Sequence, residues 1–543
     1  MFDILPICSL ERVFYDIPFK AKPFTKATML KNEFYSFQLA YKLNDTADPC
    51  NLPVQVEINH DLGDFVSVRF VEYVPCDFAM YEQATGPLEH PNPGLFPDIL
   101  KPMPKQLWAT KHQYRCLWVT IDGANNSLNP GTYIINASIK HGEVENTTSF
   151  EITVLDKELP KQELKCTNWF HTDCLCNYYN VEFDSEEYWR ITEEFAKEAS
   201  MHGVNMLLTP IFTPPLDTEV GGERRTIQLV DVYKDGDTYT FNFDKLRRWV
   251  DMCKRVNIEY YEISHLFTQW GCKHAPKVMA YENNEYKKLF GWETDAHGEE
   301  YRGFLSQLLP ELIKVLKELD IADKCYFHVS DEPNLDMLED YKHSANFLKK
   351  HLEGFNMFDA LSSIEFYKEG LINCPIPSLD HLGPFLEEDI EELWTYYCCG
   401  QVTVSNRFLA FPSSRNRLLG LIMFKYDIKG FLQWGLNFYN SWLSKEAVNP
   451  FTTSTGGGWV PGGDTFVLYP NKDGKPLSSV RFEVFREALQ DMRALSALAD
   501  KIGKDKVLDI INNNIQSGNL TYQTTDINND ELLKIREIVN LEL

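Results

Sequence analysis

The segment KCYFHVSDEPN, residues 324–334, gathers more chemistry than any other stretch of this chain. Side chains alternate along a strand, so Tyr326, His328, Ser330 and Glu332 share one face and Phe327 and Val329 the other. If the apolar pair packs outward, Glu332 emerges at the strand's C-terminal end. Pro333 stops the ladder there, and a turn lets Asp331 swing toward the same place. Two adjacent carboxyls suit acid catalysis, because burial and mutual repulsion raise the proton affinity of one of them. An acidic pair capping a turn is the alternative. In WFHTDC, Trp169, His171 and Asp173 fall at i, i+2 and i+4 and make a second polar set. His171 reads either as a contact to a substrate hydroxyl or as a buried imidazole satisfied by a carboxylate. His171 and His265 have no ligand spacing around them, so no metal and no cofactor are expected.

Downstream, Tyr367, Trp394, Tyr396, Trp434 and Trp459 fall at predicted strand ends and the loops after them. Flat rings with polar edges are what sugar faces stack on, although each ring singly also fits a core. Trp459 lies in TGGGWVPGGDTF, which lacks the GK[ST] of a phosphate loop. Its glycines read as a mobile lid that delivers Trp459 and Asp464. Asn437 and Arg417 are further polar candidates, with a surface salt bridge as the alternative for Arg417.

Elements that could position these residues follow from the patterning. The first ~158 residues carry short alternating runs rich in Val, Ile, Thr and aromatics, joined by Gly, Asn and Pro turns. FVSVRFVEYVP, HQYRCLWVTID, GTYIINASIK and TTSFEITVLD are examples, and two stacked antiparallel sheets are the simplest result. Residues 74–105 read as a long Pro-rich loop, and the segment around Pro160 as a linker. From Cys166 strands alternate with amphipathic helices. SEEYWRITEEFAKEASMHG has Ser185 as N-cap and Gly203 as the residue past its end. Eight such units predict a (β/α)8 barrel, with the sixth strand the weakest. The expected organisation is multidomain: an N-terminal antiparallel β-sandwich (1–158), a catalytic (β/α)8 barrel (160–477) and a C-terminal helical extension (478–543) packed on the barrel.

Composition narrows the partners. The 543 residues are 44% hydrophobic, enough for a sizeable core. With 53 basic and 79 acidic residues the net charge is −26, which disfavours nucleic acid. No run of about 18 apolar residues predicts a membrane span, and no basic, then apolar leader opens the chain. The 13 Cys have no zinc spacing, which fits reduced thiols and a cytoplasmic location. Cys398 and Cys399 read as small buried apolar residues.

The order of WFHTDC, HVSDEPN, LWTYYCC, Arg417-Leu-Leu-Gly-Leu, GFLQWGLNFY and GGDTFVLYP behind a β-sandwich resembles glycoside hydrolase family 123, the β-N-acetylgalactosaminidases. The resemblance covers about residues 166–493 and the sandwich before them. It implies a retaining exo-hydrolase of terminal β-linked GalNAc, as on glycosphingolipid oligosaccharides. It also implies substrate-assisted catalysis, with Glu332 as general acid/base and Asp331 orienting the 2-acetamido group, whose oxygen attacks to form an oxazolinium. Tyr367 would hold the acetamido oxygen, and Trp394 and Trp434 would wall its pocket. LLGLIMF lacks a Trp expected after Arg417, which leaves the role of that Arg open. Three readings compete: a β-N-acetylglucosaminidase of the same mechanism, a non-catalytic glycan binder, and a hydrolase with a distant nucleophile among Glu262, Glu365 and Asp380.

Overall fold

A computed structural model describes residues 2–20, 22–44, 50–124 and 128–543. Ten strands form the N-terminal region: β1 (Phe2–Cys8), β2 (Lys26–Leu30), β3 (Phe34–Leu43), β4 (Asn51–Asn59), β5 (Val66–Cys76), β6 (Gly94–Pro102), β7 (Leu107–Thr110), β8 (Arg115–Asp122), β9 (Gly131–His141) and β10 (Val144–Leu155). They make two five-stranded sheets, β1-β3-β8-β5-β6 and β2-β10-β9-β4-β7. Phe37, Leu39 and Val119 of one sheet and Ile139, Phe150 and Ile152 of the other share one buried cluster. The expected all-antiparallel arrangement needs one correction. β2 pairs parallel with β10, because the chain leaves β1 through a long loop and re-enters beside the last strand instead of turning back in a hairpin. The 74–105 stretch also contains regular structure, since β6 pairs with β5 there.

Eight parallel strands follow: β11 (Lys165–Asn168), β12 (Met206–Thr209), β15 (Tyr260–Ile263), β18 (Cys325–Phe327), β19 (Asn356–Ala360), β20 (Cys374–Ile376), β21 (Trp394–Tyr396) and β22 (Gly430–Gln433). Neighbours pair in chain order, β11 returns to β22, and a parallel bridge from Ser378 to Tyr396 closes the ring. Alternation sorts the side chains. Met206, Leu208, Tyr326, Phe358, Ile376, Trp394 and Leu432 fill the barrel, whereas Leu207, Ile263, Phe327, Val329 and Phe431 face the outer layer.

That layer holds α1 (Thr172–Tyr179), α2 (Glu186–Met201), α3 (Asp244–Arg255), α4 (Glu299–Glu318), α5 (Leu338–His351), the single turn α6 (Glu365–Lys368), α7 (Ser413–Arg417) and α8 (Leu419–Lys425). Ser185 caps α2, its Oγ accepting the Tyr188 amide at 3.2 Å, and Gly203 follows with φ +88°. Two hairpins, β13–β14 (Asp231–Asp235, Thr238–Asn242) and β16–β17 (Val278–Glu282, Glu285–Phe290), join into a small four-stranded sheet beside the barrel. The sixth unit has only 3₁₀ turns after β20.

The chain ends in α9 (Val480–Ile502), α10 (Lys504–Asn513) and α11 (Asn529–Glu542). α9 lies against both the barrel and the sandwich. The Leu100 amide of β6 bonds Ser478 O at 2.9 Å, and Arg481 of α9 forms a buried ion pair with Asp98 of β6 at 2.8 Å. No helix of the described residues is long and apolar enough to cross a membrane.

Candidate active site

Asp331 and Glu332 sit where β18 leaves the barrel. The segment is tied on three sides. Asp359 at the end of β19 accepts the Ser330 amide at 3.0 Å, Ser330 Oγ donates to Thr268 O at 2.8 Å, and the Glu332 amide donates to Ala360 O at 3.1 Å. Glu332 itself adopts φ +42°, a left-handed conformation that costs free energy in a non-glycine residue. That turn puts both carboxyls into one pocket of about 160 Å³. Asp331 is 9% exposed. Burial first, and the Glu332 charge second, raise its proton affinity well above the ordinary carboxyl range. Glu332 opens to the pocket. Close packing raises its proton affinity too, and a 2.8 Å hydrogen bond from Tyr396 Oη opposes the rise.

A buried charged chain supports the pair from below. His328 Nδ1 donates to Asp359 at 2.7 Å and Nε2 to Glu262 at 2.6 Å. Burial alone would lower the proton affinity of His328, but the two carboxylates win and push its pKa up to about 9. The imidazolium thus lies among Glu262, Asp359 and Asp331, and its charge partly offsets the cost of ionising Asp331. Glu262 also accepts Trp169 Nε1 at 2.6 Å, which fixes that indole at the pocket wall. His265 stacks on His328 with centroids 3.9 Å apart. His265, His328 and Asp359 bring ligand atoms within 4.8 Å, but both His328 nitrogens already serve carboxylates, which leaves that ring no lone pair for a metal.

Of the residues singled out from sequence, Asp331, Glu332, His171, Tyr396, Trp434 and Trp459 line the pocket together. Trp434 and Trp459 have ring centroids 6.0 Å apart, and Trp434 Nε1 donates to Asp464 at 2.9 Å. Asp464 therefore lies behind the wall; burial pushes its pKa up to about 6. Asn437 is also behind it. Its amide spans the His171 backbone, accepting the N–H at 2.9 Å and donating to the carbonyl at 3.0 Å. His171 Nε2 donates to Trp434 O at 2.7 Å while Nδ1 accepts from Arg224 at 3.0 Å. Burial and the Arg224 guanidinium hold its pKa down to about 3, so the ring is neutral.

Several expectations fail for identifiable reasons. β11 ends at Asn168, so Trp169, His171 and Asp173 do not share a strand face; Asp173 opens α1 and pairs with Arg224 at 2.6 Å. Trp394 is fully buried in the barrel against Tyr326 and Phe358, not in the pocket wall. Tyr367 sits on α6, after β19 has ended, and does not reach the pocket. Arg417 is no surface residue; it is buried in ion pairs with Glu487 and Asp491 of α9. Cys398 and Cys399 are partly exposed in the pocket wall, not buried. The 455–464 loop is not a loose lid either. Thr455 Oγ1 donates to Asp77 at 2.7 Å, Ser454 Oγ to Pro75 O at 2.9 Å, and the Gly462 amide to Phe78 O at 2.9 Å. None of Glu262, Glu365 and Asp380 lines the pocket.

Sequence reasoning missed Asp217, Gln269, Trp270 and Trp442, which also line it. All four stand in loops after β12, β15 and β22, at the C-terminal face where barrel sites form, and that placement rule is the one signal that could have found them. A larger cavity of about 430 Å³ lies away from the dyad, under α11, where the guanidinium groups of Arg417 and Arg536 are already paired with Glu487 and Glu33.

The catalytic-domain model of glycoside hydrolase 123 matches residues 169–498. No curated protein matches the chain. A solved family 123 glycoside hydrolase from Clostridium perfringens, studied for the details of glycolipid glycan hydrolysis, shares 15% identity and a TM-score of 0.75, covering 100% of this chain and 97% of that one. The likeness is one of fold. An Ig-like-domain-containing GH10 xylanase from termite gut (12% identity, TM-score 0.33, 68% of this chain and 87% of that one) is too distant to carry an argument. So is a β-glucuronidase from Parabacteroides merdae (10%, 0.29, 83% and 50%).

Proposed function

Because this chain belongs to glycoside hydrolase family 123, we propose that it is a retaining exo-β-N-acetylgalactosaminidase that removes terminal β-linked GalNAc from glycans, glycolipid glycans among them, by substrate-assisted catalysis. The observation that carries this reading is the adjacency of Asp331 and Glu332 in one aromatic-walled pocket. Neighbouring residues at one strand end suit work on the glycosidic oxygen and on the 2-acetamido group beside it. Glu332 gives its proton to the glycosidic oxygen as the C1–O bond breaks. The acetamido oxygen attacks C1 and closes an oxazolinium, whose positive N–H faces the Asp331 carboxylate. Water then attacks C1, the ring reopens, and Glu332 takes the water's proton. Configuration is retained without a protein nucleophile, unlike the usual two-carboxylate scheme.

Burial raises the proton affinity of both carboxyls, and the Tyr396 hydrogen bond favours the ionised form of Glu332. An acetamide N–H donated to Asp331 stabilises its carboxylate, which leaves Glu332 as the group that keeps its proton for the leaving oxygen.

Turnover of nitrophenyl glycosides tests the reading. The β-GalNAc compound should be hydrolysed and the β-galactoside scarcely at all, since losing the acetamido group removes the attacking oxygen. Comparable rates on both would sink the assisted mechanism. A preference for the β-GlcNAc compound would keep the mechanism and change the sugar.

A further inference from the structure

A third carboxylate lines the pocket beside the dyad and takes no part in the steps above. Asp217 lies in the loop after β12 at φ +42°, the same left-handed conformation as Glu332. The backbone around it is held rigidly. Gln269 accepts the Asp217 amide at 2.7 Å and donates to Thr218 O at 3.1 Å. Ser444 Oγ donates to Asp217 O at 2.7 Å, and Arg224 to Leu216 O at 3.1 Å. Yet the side chain is left wanting: Oδ2 is buried and has no hydrogen-bond partner. An orphaned buried acceptor is costly and calls for a donor. Burial raises the pKa of this carboxyl to about 6 despite the nearby Arg224 charge, so near neutral pH it remains mostly an anion that needs such a donor.

Chemistry narrows what the donor is. In a terminal N-acetylhexosamine C1 carries the leaving group and C2 the acetamido group, so the free hydroxyls are those at C3, C4 and C6. The unpartnered Oδ2 accepts one of these hydroxyls, and only at C4 does that contact separate sugars that differ in nothing else. C4 is the centre at which galacto and gluco sugars differ. Resting on the function proposed above, we infer that Asp217 is the residue that reads C4: its unpartnered Oδ2 accepts the 4-hydroxyl of the bound sugar and sets the preference between GalNAc and GlcNAc.

Binding of the free monosaccharides, followed by calorimetry, tests this separately from turnover. The ligands are GalNAc, GlcNAc and 4-deoxy-GalNAc, each with the wild-type chain and with Asp217→Asn, a shape-conserving change that tolerates positive φ. The wild type should bind GalNAc about 10- to 100-fold better than the 4-deoxy sugar, the worth of a hydrogen bond to a charged group. Asp217→Asn should lose that factor for GalNAc, hold the 4-deoxy sugar nearly as before, and discriminate little between GalNAc and GlcNAc. An equal loss on all three sugars overturns the inference, as does a wild type indifferent to the 4-hydroxyl or unable to bind any of them. So does restoration of aryl-glycoside turnover in Asp217→Ala by azide with release of a glycosyl azide, which would make Asp217 a nucleophile. Retained discrimination in binding with no turnover of either nitrophenyl N-acetylhexosaminide would fail the proposed hydrolase and leave Asp217's role standing.

Discussion

Asp331 and Glu332 are chain neighbours in unlike surroundings, and their substitutions should fail differently. Glu332→Gln removes the proton donor. A sugar leaving group needs that proton, so its turnover should drop by about 10²–10⁴, whereas a nitrophenolate leaves almost unaided in the first step and should lose less. Asp331→Asn removes the charge facing the oxazolinium, so its loss should be large on both substrates. Assays of each variant on a disaccharide and an aryl glycoside decide the matter; the same leaving-group dependence in both variants would contradict the division of roles. Asp331 also carries a stability consequence. Its proton affinity is raised in the fold, so the folded state binds the proton more tightly than the unfolded chain, and stability falls as pH rises above the unfolded carboxyl value of about 4. Asp331→Asn escapes that loss. It should therefore be more stable than the wild type at pH 7, with the gap closing toward pH 4. Thermal melts across that range would show it, and an Asn variant that is less stable at pH 7 would refute it.

Along the elements, alternation tells which face a side chain takes but not how deep it lies. Trp394 and Tyr396 share the inner face of β21, yet two residues of strand separate them by about 6.6 Å along the barrel, which leaves Tyr396 at Glu332 and Trp394 near the floor. Gly430 on β22 makes the room, since a Cβ there would stand 2.0 Å from the Trp394 ring. Trp394→Ala should accordingly cost about 3–5 kcal/mol of stability, the range for emptying a large core site. Denaturant unfolding checks this; a fully stable variant with only a raised KM would return Trp394 to the sugar. The Gly-rich loop should behave in the opposite way. Gly456 has φ +58°, and a Cβ on it would meet Trp459 Nε1 at 2.3 Å. Gly456→Ala should displace the indole and raise KM several-fold, at a cost of about 1–2 kcal/mol of stability for the left-handed alanine. An unchanged KM would mean Trp459 contributes nothing to binding. The outward face of Phe327 and Val329 and the Ser185 cap are legible in the sequence because period and cap chemistry are local signals, but the ladder expected to run to Pro333 already ends at Phe327, and a left-handed turn at Glu332 brings the two carboxyls together. Tyr367 is misread because FDALSSIEFY keeps a strand-like composition after the ladder ends at Ala360, while α6 begins at Glu365. Asp217, Trp270 and Trp442 lie in loops without period, where only the closed barrel brings them to the dyad.

For the molecule as a whole, the sandwich is part of what shapes the pocket. Its residues 75–81 grip the loop that carries Trp459, and Tyr81 Oη reaches Trp459 O at 3.4 Å. A second tie runs from Asp98 of β6 to Arg481 of α9, whose guanidinium also donates to Gly463 O and to Phe466 O at the far end of the same loop. One apolar cluster runs from Ile7 of the sandwich through the barrel strands to Val539 of α11, so the three regions share a core and should unfold together. The Asp98–Arg481 pair is buried, and cutting it would confound stability with function, since an uncompensated buried charge costs about 3–5 kcal/mol. Asp77 gives the cleaner test. It is exposed, lies just after β5, lines no part of the pocket, and among the described residues its side chain accepts the Thr455 hydroxyl alone. Asp77→Ala should leave the melting temperature within about 1–2 °C of wild type, as a surface change of less than about 0.5 kcal/mol allows. It should still raise KM about two- to tenfold, because Trp459 then samples positions away from Trp434, while kcat with bound substrate stays near its normal value. Fluorescence quenching of the pocket tryptophans by added GalNAc would report the same loss independently of turnover. If KM and quenching are both unchanged, the sandwich serves only as a scaffold for folding, and the loop holds Trp459 through the barrel's own contacts.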